Sequence, residues 1–174
     1  MNQSIAYEAM MFAREAHATQ RRKYTGEPYI THLADVVAIS MSIGWHEPFI
    51  HPDKFMAVGW LHDSIEDVGI TYEQLADRFG LDVAAGVVYL SDLETGNREA
   101  RKSASRARLA GAPGWIQTIK VADLISNTGS IVEHDPKFAV TYLEEKRLLL
   151  DVLTNADPRL LSIARELSTQ KVAA

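Results

Sequence analysis

The sequence predicts an all-α fold, and three observations carry that reading. Apolar residues recur at helical spacing in segment after segment. Helix-start chemistry is repeated: the box Thr71-Tyr72-Glu73-Gln74, the capping residue Asn97, and the pairs Asp135-Pro136 and Asp157-Pro158. Between these stretches lie short breaks built on glycine and proline.

Ile5, Ala9, Phe12, Ala13 and Ala16 mark a first amphipathic helix, broken before the turn-forming segment Tyr24-Thr25-Gly26-Glu27-Pro28. A second helix is predicted from about Ile30 to Ile43, stopped by Gly44. Pro52 suits the first turn of a third, which runs through Met56-Ala57-Val58-Gly59-Trp60-Leu61 into His62-Asp63 and is taken to continue through Asp67. The Thr71 box opens a short helix that ends at Gly80, and another covers Asp82 to Ser91. The segment from Asp92 to Asn97 reads as an irregular excursion. Asn97 caps a basic helix ended by Gly111-Ala112-Pro113-Gly114, and Trp115 to about Asn127 is helical. The two Asp-Pro pairs open the last two helices.

At 174 residues the chain suits a single domain, 1–174, with enough length for one packed core. An apolar content of 47% with 24% charged residues is that of a soluble globular protein. The absence of cysteine removes disulfides, thiolate zinc sites and cysteine nucleophiles together. No basic segment precedes an apolar one at the N-terminus, so no signal peptide is expected, and no apolar run approaches membrane-spanning length. A net charge of −5 argues against general nucleic-acid affinity. The charge is uneven, however. Arg98, Arg101, Lys102, Arg106 and Arg108 face only Glu99, and Arg21-Arg22-Lys23 form a second basic knot; islands of this kind suit a small, highly anionic ligand. A solvated helix face explains Arg98–Arg108 equally well.

His32, His62-Asp63 and Asp123 have the residue types and order of one metal site. His62-Asp63 ends an apolar run, and Asp123 sits inside Val121-Ala122-Asp123-Leu124-Ile125. A carboxylate on a buried face costs several kcal/mol, roughly, unless it is paired, hydrogen-bonded or bound to a cation. Two imidazoles and two carboxylates suit Mn²⁺, Fe²⁺ or Zn²⁺. If the third helix continues, Glu66 lies four residues after His62 and three after Asp63, with Asp67 bordering the same side. The two acids then stand as general base and proton shuttle for water activation. Lys120, Asp123 and Asn127 form a polar stripe by the same spacing. Each element alone reads as a solvated face or a structural histidine; separate segments supplying complementary parts of one site make the stronger case. His17, His46, His51 and His134 read as structural or surface residues, and the last three as loop residues. Trp45, Trp60 and Trp115 read as core or junction anchors.

The order His, His-Asp, Asp resembles the HD-domain metal-dependent phosphohydrolases. Arg22-Lys23-Tyr24-Thr25-Gly26-Glu27-Pro28-Tyr29-Ile30-Thr31-His32 resembles the first motif of the RelA/SpoT-type alarmone hydrolases. Leu61-His62-Asp63-Ser64-Ile65-Glu66-Asp67 and Lys120-Val121-Ala122-Asp123-Leu124-Ile125-Ser126-Asn127 are similar to their His-Asp and last metal motifs. The similarity runs from the first helix to about Leu153. It implies an HD-domain helical bundle around a single metal site, in a stand-alone small alarmone hydrolase of the cytoplasm. The implied reaction removes the 3′-pyrophosphate of (p)ppGpp. The implied ion is Mn²⁺ held by His32, His62, Asp63 and Asp123, with Glu66 and Asp67 activating water. Arg22, Lys23, Lys120 and Asn127 then belong to substrate binding, and Tyr142 and Lys146 fall where small relatives approach the ligand.

Three positions depart from the commonest pattern: Leu124, where a basic residue often follows the metal aspartate; Ser126, where His or Tyr is frequent; and Leu33, in place of a proline. The first two leave guanine against adenine preference open, so (p)ppApp stands beside (p)ppGpp. The expected partner is therefore a nucleotide, with no nucleic acid and no membrane; a homo-oligomer is compatible with the sequence. Two rival readings remain: an HD nucleotidase acting on simple monophosphates, and an alarmone-binding module without turnover.

Overall fold

The computed structural model describes residues 4–43 and 50–170. The Met1–Gln3 start, the predicted stop at Gly44, and Trp45 and His46 lie outside the described residues. Ten α-helices and no strand occur among the described residues, with one isolated antiparallel bridge between Arg21 and Pro28. No described helix is long and apolar enough to cross a membrane. The chain divides into two compact units, Met1–Arg21 with Glu27–Leu93, and Arg22–Gly26 with Glu94–Ala174.

The first unit holds α1 (Ile5–Ala16), α2 (Ile30–Met41), α3 (Pro52–Leu61), α4 (Ser64–Val68), α5 (Tyr72–Phe79) and α6 (Leu81–Leu90). α3 is its centre, packed against α1, α2 and α6, while α5 packs on α6. Leu33, Val36, Phe55, Val58, Leu61, Leu75 and Val87 form the core. The Thr71 signal works as read, with Thr71 and Gln74 forming a reciprocal capping box at α5; the Ser4 hydroxyl, unremarked in the sequence, caps α1 by accepting from the Tyr7 amide. Of the three histidines assigned to loops, His51 caps α3 and is exposed.

The predicted continuation of the third helix does not occur. α3 ends at Leu61, and α4 starts afresh at Ser64, with Asp63 at φ −97°, ψ 1° between them. Asp63 occupies the N-cap position of α4, but its carboxylate caps nothing there; it is committed to side chains on other elements. Gly69, at φ 70°, stops α4 in the left-handed region that glycine enters without steric cost.

The second unit holds α7 (Arg98–Ala110), α8 (Gly114–His134), α9 (Pro136–Leu150) and α10 (Pro158–Ser168). α8 packs against α9 and α10, and α9 against α7 and α10. Ile116, Ile119, Val121, Leu143, Leu150 and Leu160 are its core. Asn97, Asp135 and Asp157 each cap the helix predicted for them. α8 starts at Gly114, where a Cβ would stand 2.5 Å from the Asn155 carbonyl oxygen. It also outlasts its predicted end at Asn127. The Asn127 amide is turned to Asp123 rather than to the backbone, and Gly129 costs only about 1 kcal/mol within a helix. His134 is consequently the last residue of α8 rather than a loop residue, with Nδ1 against the Ser130 carbonyl and its ring stacked on Tyr24.

Candidate functional site

In the first unit α2 supplies His32 and the α3–α4 junction supplies His62 and Asp63. Both imidazoles are 1% exposed. Their rings stand 5.4 Å apart in an edge arrangement, and both Nε2 atoms face Asp63 Oδ2, at 3.6 Å from His32 and 3.0 Å from His62. His62 Nδ1 lies 2.8 Å from the Gly59 carbonyl oxygen, an acceptor, so Nδ1 carries a proton. A neutral His62 would then point a lone pair at a carboxylate oxygen 3.0 Å away, which is repulsive. The arrangement calls for a cation: a second proton on the ring, or a metal ion shared by ring and carboxylate. Histidine ligands to metals are oriented in this way, by a carbonyl on the far nitrogen. Burial on its own raises the Asp63 carboxyl, but the attraction of the His62 and His32 imidazoles outweighs it and holds the group well below the usual carboxylate range.

Tyr29 was not singled out from the sequence. Its hydroxyl donates to Asp63 Oδ2 at 2.7 Å, and its ring lies edge-on to His32. Its place one turn before His32 is the signal that could have found it.

Glu66 and Asp67 are exposed on α4 and do not share one partner. Glu66 Oε2 accepts from the Asp92 amide at 2.9 Å, and Asp67 Oδ2 accepts from Gln20 Nε2 at 2.8 Å.

In the second unit Asp123 is buried on α8 and accepts at both oxygens, from Lys120 Nζ at 2.9 Å and from Asn127 Nδ2 at 2.6 Å. Arg22 fixes the other end of that amide: Nη2 donates to Asn127 Oδ1 at 3.2 Å, and further hydrogen bonds reach Ser126 and Ser130. Arg22, Asn127, Asp123 and Lys120 thus form one hydrogen-bonded run. Lys23 is exposed, 3.1 Å from the Tyr24 hydroxyl and 3.8 Å from Asp135. Tyr142 sits against Thr128 and the Leu124 carbonyl, and burial pushes its phenol up. Much of the basic helix is answered within the unit: Arg98 makes a two-bond pair with Glu145, Arg108 pairs with Glu94, and Arg101 donates to the Gly96 carbonyl.

Lys146 is 1% exposed and donates to Thr128 Oγ1 at 2.7 Å; no carboxylate among the described residues lies within ion-pair distance of it. Burial lowers its pKa from 10.5 to about 8. Both folded and unfolded chains carry the charge below pH 8, so the cost of burying it is fully present there. Between pH 8 and 10.5 the unfolded state binds more protons, and stability rises with pH. Lys146→Met is expected to be more stable than the wild type at pH 7 by about 1–4 kcal/mol. It should also flatten the rise between pH 8 and 10.5 measured by denaturant unfolding. Equal pH slopes in the two proteins would exclude Lys146 as its source.

All of these donors are nitrogen or oxygen, and the chain has no cysteine. His32, His62 and Asp63 in the first unit, and Asp123 in the second, are each of a donor type that suits a divalent ion.

Residues 9–113 match the HD domain. The guanosine-3′,5′-bis(diphosphate) 3′-pyrophosphohydrolase MESH1 of Xenopus tropicalis is 32% identical over 138 residues, 77% of this chain and 73% of its own. The guanosine-3′,5′-bis(diphosphate) 3′-pyrophosphohydrolase of Aquifex aeolicus is 32% identical over 130 residues, 72% of this chain. Of that relative, and of a similar one from Synechocystis, the match spans only 17% of the length. A solved metazoan ortholog of SpoT that hydrolyzes ppGpp has the same fold, with a TM-score of 0.83 at 22% identity over 96% of this chain and 95% of its own. Matched over its HD residues and along most of the length of a small relative, the chain belongs to the HD-domain family, in the group that includes the MESH1 proteins.

Proposed function

We propose that this chain is a metal-dependent pyrophosphohydrolase that removes the 3′-pyrophosphate of alarmone nucleotides, (p)ppGpp and (p)ppApp. The observation that carries the reading is the pair of buried imidazoles facing one carboxylate oxygen, an arrangement that requires a cation. The names of the MESH1 and Aquifex relatives supply the substrate class.

His32, His62, Asp63 and Asp123 are the ligands in this reading, and Mn²⁺ is the ion. When bound, the ion supplies a Lewis acid that polarises the phosphorus centre and favours ionisation of water. Glu66 takes the proton of the attacking water. The new bond forms at the phosphorus joined to the ribose O3′, and the P–O3′ bond breaks. Asp67 takes that proton over from Glu66 and passes it to O3′, which leaves as a hydroxyl, while pyrophosphate departs. Arg22, Lys23 and Lys120 answer the negative charge of the substrate, and Asn127 and Tyr142 meet the nucleoside. Lys146 acts on this group through Thr128, since burial keeps its ammonium from solvent. The substrate is a cytoplasmic nucleotide, and the reaction belongs in that compartment.

The test is a product assay. Metal-stripped protein reloaded with Mn²⁺ is incubated with ppGpp, ppApp, GMP, AMP and cyclic nucleotides. Pyrophosphate is expected from the 3′-pyrophosphorylated nucleotides alone. Turnover of monophosphates alone would make the chain a nucleotidase, and tight ppGpp binding without products would make it a binding module.

A further inference from the structure

The first unit contains a hydrogen-bonded chain whose first members, His17 and Gln20, the reaction above does not use. It starts at His17, a 2% exposed residue that ends α1. His17 Nδ1 lies 2.5 Å from Gln20 Oε1, and Gln20 Nε2 lies 2.8 Å from Asp67 Oδ2. Tyr29 stacks on the His17 ring at 5.2 Å and 19°, and the same tyrosine donates to Asp63.

We propose that Gln20, locked by His17, is a positioning residue that holds the Asp67 carboxylate for its proton transfer. The inference rests on the role given to Asp67 above, and three features carry it.

The backbone of Gln20 is fixed at both polar groups. Its amide donates to the His17 carbonyl, and its carbonyl accepts from the Tyr29 amide. Only the side chain is left to choose a direction.

That direction is dictated from the Asp67 end. An ionised carboxylate only accepts, so the amide nitrogen of Gln20 must face it and the amide oxygen must face His17. His17 must then carry its proton on Nδ1, leaving Nε2 bare. Nε2 is buried and has no hydrogen-bond partner among the described residues, which a bare nitrogen tolerates better than an N–H donor would.

Asp67, finally, stands exposed on a helix of five residues, where the carboxylate has several rotamers open to it. Gln20 selects one of them.

Two measurements decide the matter, and the first is independent of turnover. Nitrogen-15 NMR of the wild-type ring should show the Nδ1–H tautomer at His17, with the preference relaxed in Asp67→Ala. An Nε2–H tautomer in the wild type overturns the proposal.

The second is steady-state kinetics on the alarmone. Gln20→Ala is expected to lower kcat about tenfold or more while KM stays within about twofold, the mark of an interaction used only in the transition state. His17→Phe keeps the stacked ring, loses the donor and should fall equally. His17→Asn restores a donor near the Nδ1 position and should recover most of kcat even if its Tm falls. An unchanged kcat in Gln20→Ala, or a loss confined to Tm, overturns the proposal. If the wild type releases no pyrophosphate, the functional reading fails, and the tautomer alone decides whether the chain orients Asp67.

Discussion

Asp63→Ala is expected to lose divalent-ion binding and pyrophosphate release together, with activity falling by about 10³-fold or more. The size of the effect follows from how many groups meet on one atom. His32, His62 and Tyr29 all face Asp63 Oδ2, so removing that oxygen undoes the arrangement from every side. The substitution should nonetheless fold. Asp63 makes no capping hydrogen bond at α4, and its carboxylate is desolvated at a cost that alanine does not incur. Thermal unfolding with and without Mn²⁺ separates the possibilities. An ion at a hundred times its Kd stabilises a binding-competent protein by about 2.7 kcal/mol. The wild type should show that gain and Asp63→Ala almost none, while their metal-free Tm values stay close. An undiminished ion-dependent shift in Asp63→Ala would remove Asp63 from the ligand set.

What could be read from the sequence was whatever depends on neighbours in the chain. The capping box at Thr71, the cap at Asn97 and the two Asp-Pro openings act over three or four residues, and each occurs as read. The buried polar residues His62 and Asp123 were legible for a related reason: they interrupt apolar runs that periodicity buries. The misreadings arise where a side chain answers to something distant. The third helix breaks at Asp63, whose carboxylate is bound to Tyr29, 34 positions earlier. α8 passes through Asn127 because that amide is held by Asp123 and Arg22, the latter 105 positions away. Arg98 looked uncompensated along the chain, while its partner Glu145 lies 47 positions further on. Gln20 escaped notice similarly, since nothing local marks a glutamine as the partner of an aspartate on α4. Helical phase places residues on a face, and long-range hydrogen bonds then decide which of them point together.

Glu66→Gln carries the other large expectation, a fall in kcat of about 10²-fold or more with KM and ion-dependent stabilisation unchanged. The choice of glutamine matters because Glu66 has two jobs that must be separated. Its Oε2 accepts the Asp92 amide proton, a tie between α4 and the end of α6, and its carboxylate is the assigned base. The glutamine carbonyl can accept the same hydrogen bond, so the tie survives while the basicity is lost. Glu66→Ala loses both, and the Asp92 amide then depends on solvent, at a cost of about 1 kcal/mol in stability. If the base is what counts, the two variants lose kcat alike and differ only in Tm. If the tie is what counts, Gln keeps the rate and Ala does not, and Glu66 supports α4 without touching a proton of the reaction. A fully active Glu66→Gln would therefore transfer the search for the base to Asp67, held by Gln20 on the same short helix.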